Sequence, residues 1–223
     1  MKRYKHFLRW VELLALFSAV FLADVILHKL ENVHAGSLTF LLVLGIITIL
    51  VFHVVEYLAT AAFERFDWLR RFILGADCIE GVWFDVVCGE NLFGIITIDQ
   101  KAGEVAVVGE QFDTAGRVTA TWEDFITSIE GNTLRAVYRA PQFGAQPSEL
   151  LGFSSYVFSG TPGKPPQYYN GYFADISTGP RKCHLRGFRI TDPATLQRLR
   201  EPHNKTEALL KLIREHQGAL SPA

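Results

Sequence analysis

Leu92-Phe93-Gly94-Ile95-Ile96-Thr97-Ile98-Asp99, then Lys101-Ala102-Gly103, then Glu104-Val105-Ala106-Val107-Val108-Gly109-Glu110-Gln111-Phe112 reads as two extended runs joined by a turn. β-branched and aromatic residues dominate each run, and the glycine between them tolerates the positive φ that a tight connection needs. The same alternation of run and punctuation fills the chain from Ile79 to Ile190. The other runs are Ile79 to Val87, Arg117 to Glu123, Phe125 to Glu130, Thr133 to Ala140, Leu150 to Ser159, Gln167 to Ile176 and Lys182 to Thr191. Asp113-Thr114-Ala115-Gly116, Gly131-Asn132 and the loop from Gly160 to Pro166 separate several of them. Eight or nine sequential antiparallel strands follow. Left open, such a sheet exposes two edges, whereas closure removes them, so an up-and-down β-barrel is expected, wide enough at eight strands for one small ligand.

Upstream the pattern is different. Two apolar spans, Leu13 to Leu27 and Leu38 to Val55, approach the length of a bilayer-crossing helix. Glu12 and Asp24 lie at the ends of the first. Lys2, Arg3, Lys5 and Arg9 precede the spans and Arg65, Arg70 and Arg71 follow them, while the turn from His28 to Gly36 holds only Lys29. By the positive-inside rule both termini are cytosolic. A signal peptide is the weaker reading, because Val33-His34-Ala35 is separated from the apolar run by charged residues and a second span follows at once. Phe63 to Ile73 sets aromatics at helical spacing among arginines, the pattern either of an interfacial helix or of a stalk continuing the second span, ended by Gly75.

The expected organisation is therefore a two-transmembrane hairpin at 1–60, an amphipathic linker at 61–76, a β-barrel ligand-binding domain at 77–191, and C-terminal helices and tail at 192–223. Asp192-Pro193-Ala194-Thr195 has the cap and proline that open a helix, Pro202 interrupts it, and Lys205 to Gln217 resumes as a surface helix before the tail Leu220 to Ala223.

Function classes narrow by exclusion. The formal net charge is −1, with 22 Lys+Arg against 23 Asp+Glu, so no polyanion-binding surface for DNA or RNA is indicated. Cys78, Cys88 and Cys183 show no C-x-x-C spacing, and no His, Cys, Asp or Glu group has metal-ligand spacing. Gly152-Phe153-Ser154-Ser155 is not a nucleophile elbow, and Gly163-Lys164-Pro165 lacks the hydroxyl residue of a phosphate loop. No catalytic residue, metal or cofactor is expected. The remaining chemistry is aromatic and basic, on the late strands: Tyr138 and Arg139, Tyr156, Tyr172, and Arg186. That mixture suits a base that stacks and a phosphate that pairs, although which strand face turns inward stays open. Ala15, Ala19 and Ala23 form a small-residue face for close helix packing, within the hairpin or between copies.

Ile79-Glu80-Gly81-Val82-Trp83 resembles the glycine-x-tryptophan opening of lipocalin-like barrels. There the tryptophan closes one end under an arginine of the last strand, parts that fall to Trp83 and to Arg186 or Arg189. Two spans, a basic linker and a barrel containing Gly109-Glu110-Gln111-Phe112-Asp113, Gly116, Thr121-Trp122-Glu123 and Gly171-Tyr172-Phe173-Ala174-Asp175 resemble the two-transmembrane β-barrel effectors of bacterial cyclic-oligonucleotide-based antiphage signalling systems. The resemblance implies a non-enzymatic protein of the bacterial inner membrane, multi-pass, with the barrel cytosolic. It implies that a cyclic dinucleotide made by a partner nucleotidyltransferase binds the barrel, drives homo-oligomerisation and disrupts the lipid bilayer. The alternative from another class is a membrane-anchored lipocalin-like carrier or scaffold for an apolar ligand or a partner protein.

Overall fold

A computed structural model describes residues 2–29, 38–101, 104–141, 149–176 and 182–216. The expected loop centred on His28 to Gly36, the turn at Ala102-Gly103 and the tail from Leu220 lie largely or wholly outside these residues. The chain divides into two compact units, Met1–Leu74 and Gly75–Ala223.

The first unit is helical: α1 (Lys2–Lys29), α2 (Leu38–Arg65) and α3 (Asp67–Leu74). Tyr4 and Phe7 of α1 pack on Phe63 of α2, with ring centroids 4.8 and 5.7 Å apart. Ala15 and Ala19 are buried where α1 lies against α2, and Ala23 is half-buried. Trp10, Leu14, Phe17 and Phe21 of α1 and Leu42, Ile46, Ile49 and Leu50 of α2 are exposed. One helix among the described residues, over Leu44–Arg65, is long and apolar enough to cross a bilayer. α1 carries Lys5, Arg9, Glu12 and Asp24 along its length. Phe66 breaks the helical run, and α3 restarts it with Arg70 held by Asp67 at 2.7 Å and by the Glu64 carbonyl at 2.8 Å.

The second unit is a closed antiparallel barrel in which β1 to β8 follow in chain order. The strands are β1 (Gly81–Val87), β2 (Phe93–Gln100), β3 (Val105–Phe112), β4 (Val118–Glu130), β5 (Thr133–Pro141), β6 (Glu149–Ser159), β7 (Tyr168–Asp175) and β8 (Lys182–Arg189). β1 closes the ring by pairing with β8, Trp83 opposite Arg189 and Phe84 opposite Phe188. Residues 117–123 and 125–130, read from sequence as two runs, are one strand. A β-bulge between Asp124 and Ile126 shifts the register there and reverses the alternation, which in sequence looks like a strand end.

Inside the barrel, Ile96, Ile98, Val107, Leu134, Phe158 and Leu185 pack around Trp83. On the outside of β1 and β2, Phe84, Val86, Phe93 and Ile95 form a second apolar layer. The C-terminal helices cover it. Asp192 caps α4 (Pro193–Arg200) by accepting from the Thr195 amide at 3.0 Å, and α5 spans Pro202–His216. Pro202 opens α5 instead of merely interrupting a helix, since proline at the first helical position forfeits no internal hydrogen bond. Leu209, Leu212 and Ile213 of α5 are buried in that outer layer, so the outer face is covered at Phe84 and Val86 of β1 and at Phe93 and Ile95 of β2.

Candidate functional site

One end of the barrel is shut. The Trp83 indole donates to the Ile79 carbonyl at 3.0 Å, and the Arg189 guanidinium lies over its ring, 5.3 Å from the centroid. Arg189 also donates to the carbonyls of Cys78 and Pro166, both at 3.1 Å, and to that of Glu80. Gln100, 1% exposed, accepts from the Ile79 amide and donates to the Asp77 carbonyl, fixing the chain as it enters β1. Arg189, not Arg186, is therefore the arginine over the tryptophan.

Toward the other end the barrel encloses a cavity of about 410 Å3, a size ordinary for small-molecule sites. Trp122, Tyr138 and Phe173 present aromatic surface to it, Val87, Leu150 and Leu185 aliphatic surface, and Asp85 and Asp175 carboxylates. The room comes from glycines opposite the large side chains. Trp122 is paired with Gly109, Tyr138 with Gly152 and Asp85 with Gly94, and a Cβ on these glycines would lie 2.1, 2.3 and 1.9 Å from the facing side chain.

The electrostatics of the interior are acidic. Asp85, 2% exposed, accepts from the Tyr169 hydroxyl at 3.0 Å, and burial pushes its carboxyl up to about 7 against the smaller opposing effect of that bond. Burial likewise pushes Asp124 up to about 7. The Tyr138 hydroxyl donates to Asp175. The phenols of Tyr138, Tyr156 and Tyr169 are pushed up, first by burial and then by the carboxylates Asp175, Asp124 and Asp85 respectively. They stay protonated, and those of Tyr138 and Tyr169 act as donors. No group of three or more His, Cys, Asp or Glu among the described residues could hold a metal ion.

The five late-strand residues singled out in sequence do not converge. Tyr138 lines the cavity, and Tyr156, 3% exposed, lies in the packed interior with its ring 5.1 Å from that of Tyr169. Arg139 points outward and pairs with Glu123 across to β4. It lines an external groove of about 610 Å3 that shares Trp122 and Pro141 with the cavity, so Trp122 stands between the two. Tyr172 is on the outer face, with Lys182 4.8 Å over its ring and Phe153 edge-on at 5.8 Å. Arg186, opposite Val86 and Asn170 in the ladders, shares the outer parity of Val86. Alternation, which the sequence left open, turns Arg139 and Arg186 outward and their neighbours Tyr138 and Leu185 inward.

Asp85, Asp124 and Asp175 were missed, although Asp85 had a signal. A carboxylate inside Trp83-Phe84-Asp85-Val86-Val87 is out of place unless it lines a site. Trp122, Phe173 and Asp175 stand within the stretches that carried the family resemblance. No family model matches the chain, and no curated protein matches its sequence.

Proposed function

We propose that this chain is a membrane-anchored sensor and effector of antiphage defence, in which a lipocalin-like cytosolic barrel binds a cyclic dinucleotide. The observation that carries the reading is the cavity: a closed barrel with one end shut by Trp83 and Arg189, and aromatic faces beside hydrogen-bond acceptors behind the other. Trp122, Tyr138 and Phe173 offer stacking surface, and Arg139, across Trp122 in the groove, is placed to meet a phosphodiester once it leaves Glu123. The site binds and has no assigned catalytic step.

The signal comes from a partner nucleotidyltransferase. The helical unit supplies the response as a two-transmembrane hairpin in the bacterial inner membrane, with both termini cytosolic. The apolar helix at Leu44–Arg65 supports anchoring, and the exposed apolar side chains of α1 and α2 are surface that lipid or further copies would cover. Ligand gathers the helices into a homo-oligomer because it binds the assembled state more tightly, and the gathered helices disrupt the bilayer. Ala15 and Ala19 are already used between α1 and α2, so contacts between copies fall to the exposed residues.

A second reading has an observation of its own. Val87, Leu150, Phe173 and Leu185 line the cavity, which suits an anchored carrier of an apolar ligand. One experiment separates the two: the melting temperature of the full chain in detergent, measured against cyclic dinucleotides, their linear counterparts and a fatty-acid series. A rise with one cyclic dinucleotide alone, followed by ligand-dependent dye release from liposomes holding the protein, supports the sensor. A rise with fatty acid alone moves the assignment to the carrier.

A further inference from the structure

The short helix after the apolar span carries aromatic surface that the helical unit leaves uncovered. Phe66 interrupts the helical run, so α3 does not extend α2 as an unbroken stalk. The junction is latched. Arg70, 5% exposed, donates to the Glu64 carbonyl near the end of α2 at 2.8 Å and to the Asp67 carboxylate at 2.7 Å. Arg70 and Leu74 are buried, whereas Trp68 and Phe72, four residues apart and so on one shared face, are 68% and 80% exposed. Arg71, three residues after Trp68, is exposed beside them, as are Arg65 and Phe66 at the junction. Large aromatic side chains grouped in water mark a surface that something else covers.

Place and charge select the cover. The apolar segment Leu44–Arg65 has 22 residues, and at about 1.5 Å per residue it reaches about 33 Å against about 30 Å of hydrocarbon. With that segment across a bilayer, its Arg65 end stands at the headgroup layer, and α3 begins two residues later. Tryptophan favours that layer, because its ring is apolar while its N–H stays wet. Arg65 and Arg71 supply cations for lipid phosphate, and neither is in an ion pair among the described residues.

We propose that α3 is an interfacial helix lying in the headgroup layer of a phospholipid bilayer, with Trp68 and Phe72 at the acyl boundary and Arg65 and Arg71 on lipid phosphates. This rests on the anchoring of α2 and adds to it the structure by which the chain leaves the bilayer.

The test uses the full chain reconstituted in vesicles of phosphatidylcholine, alone or mixed with phosphatidylglycerol. The difference in emission between the parent and Trp68→Phe isolates Trp68 from Trp10, Trp83 and Trp122. Lipid brominated about 5–10 Å into the boundary between headgroups and acyl chains should quench that component more strongly than lipid brominated at the chain end, and aqueous acrylamide should reach it weakly. Arg65→Gln and Arg71→Gln should each lower the ratio of lipid-shielded to water-exposed Trp68 emission by about fivefold on the anionic vesicles, and by less on the neutral ones. Should Trp68→Phe fail to fold, Phe72→Trp in the otherwise unchanged chain adds a reporter on the same face, whose added emission is expected to respond in the same way. Quenching by acrylamide and not by bromine, strongest quenching from the chain-end bromine, or unchanged ratios in both arginine variants overturns the interfacial helix. Flotation with the vesicles after an alkaline carbonate wash keeps the two readings apart: a chain that floats with Trp68 in water loses the interfacial helix and keeps the anchor, and a chain that does not float loses both.

Discussion

The two carboxyls held near 7 make the barrel's stability depend on pH. Asp85 and Asp124 ionise in the unfolded chain around 3.8, so between about pH 4 and pH 7 the folded barrel retains protons that the unfolded chain has released. Stability is therefore greatest below about pH 4 with respect to these groups, falls as pH rises to about 7, and is level above. Melting temperatures of the protein measured across that window should trace this decline, and Asp124→Asn should flatten it. The facing glycines give a second expectation. A Cβ at Gly152 would meet the Tyr138 ring at 2.3 Å and the Ala174 carbonyl at 2.8 Å, so Gly152→Ala should cost about 1–3 kcal/mol in denaturant titrations. Ligand binding divides the late-strand residues by parity: Trp122→Ala should weaken it by about tenfold or more, the loss of one stacked base, whereas Arg186→Ala should leave it unchanged in calorimetry. Residue types showed that aromatic and basic groups crowd β5 to β8. Parity alone assigned them to inside or outside, and parity depends on pairing partners far away in sequence.

At the scale of elements, strand existence was legible because hydrophobic runs and turn residues are local properties. β4 was not, because a bulge inserts one residue and changes the phase of alternation in mid-strand. The C-terminal helices were legible as helices from Asp192, Pro193 and Pro202, yet their work was hidden. Leu209 and Ile213 of α5, 1% and 2% exposed, seal the outer layer of β1 and β2, which makes α5 part of the core and not a surface addition. Leu209→Ala should accordingly destabilise the barrel by about 2–5 kcal/mol, read from the shift in its urea midpoint, the range for emptying a buried leucine site.

For the whole molecule, both core clusters draw only on residues after Gly75. A chain beginning at Gly75 is therefore expected to unfold in one cooperative transition, with coincident curves from circular dichroism and tryptophan fluorescence. A transition lost with the helices would contradict that independence. Composition and periodicity by themselves determined that an apolar helical region precedes an all-β region, where every strand but β4 begins and ends to within a residue or two, and that a turn-rich meander would close on itself. Those properties reside in neighbours along the chain. Only the tertiary structure decided that β1 meets β8 to place Arg189 over Trp83, that α5 roofs the outside of the first two strands, and that the cavity carries acids while Arg139 and Arg186 face out. Each of these depends on strand register, and register is settled by the joint packing of all eight strands, since a shift of one residue in any of them exchanges every inward side chain for an outward one.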